Sequence, residues 1–227
     1  MRRTGLLDAA YNGHISVVRV LMSYQANIEH EDHYGNTALI QSVERRYEDI
    51  AILLVQHGSN VNHRNTFGDT ALMWAAIWGN ELICSLLVQQ GACVDMQAVD
   101  GHNSLMLAAI RGHTHIIHLL VQHQASLECR TSDGLTVLMQ AAEVGHLDVV
   151  SIVIKEGASI DSHDNDGNTA LILAAMRGHS KIVVLLLQNG ANPHWQNDYG
   201  FTALAWAERE GHTVVATVLQ HHETRNF

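Results

Sequence analysis

Seventeen histidines and three cysteines are the side chains of this 227-residue sequence best suited to ligation or nucleophilic chemistry. His115 and His118 stand three apart on one helical pattern, a spacing that can chelate a metal, yet no cysteine or carboxylate joins them at ligand spacing. Cys84, Cys93 and Cys129 are an odd number without paired spacing, which fits reduced thiols in a reducing compartment. Their positions place Cys84 in the core and the other two in connecting segments. No nucleophile, base and orienting group occur together at a known spacing, and the glycines are accounted for by caps and turns rather than by a phosphate-cradling loop. Catalytic residues, a metal and a cofactor are therefore not expected. What remains is recognition, and Trp74 and Trp78, four apart on one helix and half of the tryptophans in the chain, are its strongest signal.

The elements that position these residues follow from a repeat. Gly35, Gly68, Gly101, Gly134, Gly167 and Gly200 are each 33 residues from the next. At a typical glycine frequency, six such positions would all be glycine about once in 10⁷ trials, so the period is real. Within a period Leu72, Ala75 and Ala76 share one face of a first helix, and Ile83, Leu86 and Leu87 one face of a second. Each helix is two to three turns long and too short to stand alone in water, so stability must come from stacking. Thr37, Thr70, Thr136, Thr169 and Thr202, with Asn103 in their place once, sit where a side chain caps the first helix. Gly13, Gly79, Gly112, Gly145, Gly178 and Gly211 close the first helix, and Gly58, Gly91, Gly157 and Gly190 the second. The array divides into a cap repeat at 1–31, full repeats at 32–64, 65–97, 98–130, 131–163 and 164–196, and a last repeat at 197–227.

The stretch DNDGNTALILAAMRGHSKIVVLLLQNGA at 164–191 resembles the ankyrin-repeat pattern DxxGxTPLHxAAxxGHxxIVxxLLxxGA, and the resemblance covers essentially the whole chain. It implies an all-α solenoid with short β-hairpin fingers, an inner helix lining a concave groove and an outer helix on the back. It also implies a non-catalytic module that binds another protein. The proline and histidine of TPLH are missing from every repeat; Ile40, Met73, Met106, Met139, Ile172 and Ala205 hold the histidine position, so apolar packing is expected there. His14, His113, His146, His179 and His212 belong to the Gly-His of the pattern and read as structural. Arg46 and Tyr47 replace Gly-His in one repeat, which requires either a strained left-handed residue or an altered turn, and looser packing at 44–48. Gln25 and Gln124 replace glycines at the end of the second helix. Asn62 lies in the connection where animal ankyrin repeats resemble substrates of the asparaginyl hydroxylase; hydrogen bonding in the turn is the other reading.

Projected on this frame, the partner-binding groove is expected to use Phe67, Asp69, Trp74 and Trp78, rimmed by Tyr34, Glu44, Arg45, His102 and Arg111. Packing between neighbouring helices is the alternative role for these aromatics. A second group, Tyr199, Phe201 and Trp206 with Trp195, marks either a further contact or the finish of the array. Asp69, Asp100, Asp133, Asp166 and Asp198 form a row of fingertip acids that suits a basic partner or simply the turns, and Arg111 and Arg177 make the groove mixed in sign.

A formal net charge of −10 argues against nucleic acid and anionic membrane, as does the lack of a lysine and arginine stripe. No apolar run is long enough to span a bilayer, and Arg2 and Arg3 lead into a helical pattern rather than a signal core. The expectation is a monomeric, cytoplasmic protein, with the nucleus open, whose partner is a peptide, helix or domain surface. A targeting or regulatory domain of a larger enzyme, ubiquitin-ligase adaptor, channel or secreted bacterial effector is the alternative.

Overall fold

The computed structural model describes residues 4–225, and these contain fourteen α-helices. Met1, Arg2, Arg3, Asn226 and Phe227, which include the outer limits expected for the two terminal repeats, lie outside the described residues. The helices come as seven pairs, each starting 33 residues after the one before: α1 (Gly5–Tyr11) with α2 (Ile15–Ser23), α3 (Ala38–Glu44) with α4 (Glu48–Gln56), α5 (Ala71–Trp78) with α6 (Glu81–Gln89), α7 (Ser104–Ile110) with α8 (Thr114–Gln122), α9 (Val137–Val144) with α10 (Leu147–Lys155), α11 (Ala170–Met176) with α12 (Ser180–Gln188), and α13 (Ala203–Arg209) with α14 (Thr213–Arg225). The fold is an all-α repeat solenoid. By contact the chain divides into two compact units, 1–108 with 118–125 and 109–117 with 126–227. In the first, α1, α3 and α5 stack in a row and α2, α4 and α6 in another. In the second, the rows are α9, α11, α13 and α10, α12, α14.

These helices exist because of that stacking. Leu72, Met73, Ala75 and Ala76 of α5 and Ile83, Cys84 and Leu87 of α6 are buried, and the pattern recurs in α11 and α12, whereas the terminal helices α2 and α13 bury fewer residues. Burial pushes the Cys84 thiol up to about 12, helped by the nearby Glu81 charge, so this cysteine is a core residue and not a nucleophile. Ile40, Met73, Met106, Met139 and Ile172 are all buried, so apolar side chains do fill the place of the missing histidine. Thr70 Oγ1 accepts from Met73 N at 3.3 Å and Asn103 Oδ1 from Met106 N at 3.0 Å, the N-terminal caps expected from the sequence.

A second histidine interaction locks neighbouring repeats in the second unit. The ring of His146 lies against Gly112, that of His179 against Gly145 and that of His212 against Gly178. Each Nε2 reaches a carbonyl of the preceding inner helix, at Ile110 (2.9 Å), Glu143 (3.0 Å) and Met176 (3.0 Å). At Gly13 the Tyr47 ring takes this place. Arg46, by contrast, is left-handed at φ 66° without being glycine, as are Gln25 at 57° and Gln124 at 64°. The residue that would cover Arg46 is Asn80, whose amide turns instead to Glu48 at 2.8 Å, so no ring occupies the space a Cβ needs. The strain remains, at about 1–2 kcal/mol. Arg46→Gly is expected to raise the unfolding free energy by about 1 kcal/mol. Amide hydrogen exchange in the parent protein is expected to be faster at 44–48 than at 143–147; equal rates would refute the looser turn.

The fingers differ from the expected β-hairpins. Among the described residues the only bridge outside the helices is a single pair, His163 with Thr169. Four of the fingers are instead tight turns, each wound on one side chain. Asp32 Oδ1 accepts from Tyr34 N (2.8 Å) and Asn36 N (2.9 Å), and Asn65, Asp164 and Asn197 do the same in their repeats. Within each unit one backbone bond links a finger to the next, such as Thr66 N to Tyr34 O (2.9 Å) and Val99 N to Phe67 O (2.8 Å) in the first and Asn165 N to Asp133 O (3.0 Å) in the second. A single bond per step makes no ladder, which is why no strand forms.

Burial pushes the Asp32 carboxyl pKa up, but the two backbone N–H groups and the Gln41 and Asn36 amides outweigh it and hold it below the usual range. A carboxylate held low in the folded state stabilises above its unfolded pKa, and that contribution is lost as pH falls through the folded value. The denaturation midpoint should therefore drop below about pH 4, and Asp32→Asn should be less stable at neutral pH and flatter across that range. An unchanged acid dependence in the variant would remove Asp32 from this role.

Candidate protein-binding surface

The first unit carries a concavity of about 320 Å³ lined by Tyr34, Asn36, Glu44, Asn65, Phe67, Asp69 and Trp74. Five of the residues expected to bind a partner meet here: Tyr34 and Phe67 from successive fingertips, Asp69 from the base of a finger, Glu44 from the end of α3 and Trp74 from the middle of α5. The fingers bring Tyr34 and Phe67 together, with ring centroids 6.3 Å apart, because Thr66 hangs on the Tyr34 carbonyl by both its N–H and its hydroxyl. Both rings are about half exposed, at 49% and 56%. Trp74 is half-buried, and its Nε1 is buried without an acceptor. Trp78 remains 42% exposed, and its Nε1 donates to the Glu44 carbonyl at 3.1 Å. Burial and the negative charge of Asp100 push the Asp69 carboxyl up, against a hydrogen bond from Asn65 that lowers it.

Sequence reasoning missed Asn36 and Asn65. They join adjacent fingers through Asn65 Nδ2 to Asn36 Oδ1 at 3.0 Å, and Asn197 with Asn168 repeats the bond at 2.8 Å. The signal was available: Asn36 holds the repeat position of Asp69, and Asn65 that of Asp32, Asp164 and Asn197, on which their fingers are wound.

Other expected residues sit elsewhere or are already engaged. Arg45 turns away to Tyr11, its guanidinium 3.9 Å from the ring centroid and hydrogen-bonded to the hydroxyl. Arg46 takes the face of Trp78 at 5.6 Å. His102 Nδ1 is 3.0 Å from the Asp100 carboxylate, which removes one fingertip acid from a free row. In the second unit Arg111 is exposed, and Arg177 is bound by Glu143 at 2.6 Å. Tyr199 donates to Asp166 at 3.2 Å, a bond that with the charge of that carboxylate pushes the phenol pKa up. Phe201 and Trp206 stack at 5.1 Å under Arg209. Trp195 donates to the Gly167 carbonyl at 3.0 Å and stacks on His163, so it braces a finger. Asn62 likewise binds the next repeat with both ends of its amide, to Gly91 O (2.9 Å) and Cys93 N (2.7 Å).

The family model for ankyrin repeats, in three copies, matches residues 6–98, 94–164 and 138–226. The chain belongs to the ankyrin-repeat family. No curated protein matches the chain. Ankyrin repeats are in general protein-interaction modules and typically not catalysts. Among the described residues no helix is long and apolar enough to cross a membrane.

Proposed function

We propose that the ankyrin repeats form one non-catalytic binding array and that the concave side of the first unit captures a partner protein. Tyr34, Phe67, Trp74 and Trp78 anchor the contact, and Glu44 and Asp69 select the partner. The carrying observation is the convergence of three aromatic rings and two carboxylates on one concavity while the core beneath it is complete without them. Binding here is preorganised: finger turns and stacked helices fix the contact groups beforehand, so little ordering cost falls on association. The cytoplasm, a monomer and a partner that presents an extended peptide, a helix or a domain surface belong to the same reading.

The test is affinity capture from the source cell with two variants. Tyr34→Ser with Phe67→Ser removes two exposed rings from the fingers, and Leu82→Ser removes a side chain of similar exposure, 57%, from the outer helix α6. The finger variant is expected to lose the captured partner and the α6 variant to keep it. The reverse pattern would move the binding face to the outer helices.

A further inference from the structure

We infer that the first-unit concavity takes an arginine side chain of the partner, a reading that rests on the groove assignment above and adds the chemistry of the contact. The chain shows twice how a guanidinium is used at these repeat positions. Trp206 holds the position of Trp74 four periods on, and Arg209, one helical turn later, lies over its ring at 4.8 Å and over Phe201 at 5.5 Å. Glu143 holds the position of Glu44 three periods on, and Arg177 of the next repeat binds its carboxylate at 2.6 Å. In the first unit both arginines are replaced, with Ile77 at the position of Arg209 and Trp78 at that of Arg177. The aromatic face and the carboxylate have stayed while the cation is missing.

The concavity is otherwise suited to one. Tyr34, Phe67 and Trp74 supply ring faces, and Glu44 and Asp69 are without an ion-pair partner among the described residues. The nearest arginines on the inner helix end, Arg45 and Arg46, are spent on Tyr11 and Trp78. Arginine is favoured over lysine because a planar, weakly hydrated guanidinium stacks on rings and forks to a carboxylate at the same time. The Trp74 Nε1 donor, which lacks an acceptor, suits a backbone carbonyl beside that arginine.

The test uses blocked pentapeptides with a central arginine, lysine or citrulline between glycines, followed by NMR at the four tryptophan indole N–H signals. The arginine peptide is expected to shift the Trp74 signal saturably and leave Trp206 unmoved, with the citrulline peptide, which has the same shape without the charge, binding roughly tenfold more weakly. Glu44→Gln with Asp69→Asn should erase that difference. Ile77→Arg should fill the site from within and abolish the Trp74 response, with far-UV circular dichroism reporting on folding. A Trp74 signal indifferent to the arginine peptide, or an equal response to citrulline, overturns the inference. A partner captured through Tyr34 and Phe67 that the arginine peptide does not displace overturns it too and leaves the groove reading standing; capture indifferent to Tyr34 and Phe67 overturns both.

Discussion

Gly145→Ala is expected to destabilise the second unit by about 2–4 kcal/mol, combining left-handed strain with the loss of one inter-repeat hydrogen bond. Gly145 has φ 98°, where a Cβ is strained whatever the space around it. An alanine Cβ would also stand 2.6 Å from Cε1 of His179, whose ring covers this glycine. The imidazole must then move and release the Glu143 carbonyl, which it holds at 3.0 Å. Gly157 is the matched control, with φ 94° and nothing within 4 Å of its Cβ position. Gly157→Ala should therefore cost only the strain, about 1–2 kcal/mol. Urea denaturation of the two variants, alone and with His179→Ala, separates backbone strain from ring contact: the excess at Gly145 should vanish when the ring is gone. Equal costs for the two glycines would mean that the histidine does not lock the repeats.

Replacing Trp74 and Trp78 together by alanine is expected to weaken partner binding at least thirtyfold, about 2 kcal/mol or more, with helicity unchanged. The fold should survive because α5 buries Leu72, Met73, Ala75 and Ala76, not the tryptophans. Trp78 gives up one hydrogen bond to Glu44 and the Arg46 contact, both at an exposed edge. Trp74 gives up more area, but its truncation also removes a buried N–H that has no acceptor, which offsets part of the loss. Trp74→Phe separates the two roles: it should fold at least as well as the parent, since the unsatisfied donor is gone, and still bind less tightly. Binding that survives the double substitution would show that these rings serve packing alone.

What was legible in the sequence was whatever repeats or conspicuously fails to. Glycine series and threonine caps answer backbone needs that are the same in every repeat, so spacing alone placed them. Trp74 and Trp78 stood out by subtraction, and Trp74 does line the concavity with Tyr34, Phe67, Glu44 and Asp69. What stayed hidden was where long side chains turn. Arg45 reaches back 34 residues to Tyr11, as Arg177 does to Glu143 and Trp78 to Glu44, so each depends on the residue met one repeat earlier. Arg45 meets a ring and leaves the groove rim; Arg177 meets a carboxylate and is neutralised. The β-hairpin fingers failed for a related reason, because Asp32, Asn65, Asp164 and Asn197 bind the finger N–H groups that a hairpin would share across strands.

The most direct test of the central claim is amide hydrogen exchange on the protein alone and bound to its captured partner. The concave side of the first unit predicts protection at the fingers, 34–36 and 66–69, and along 74–79 at the end of α5, with α4 and α6 unchanged. Protection confined to α4 and α6, with the fingers exchanging as freely as before, would contradict it.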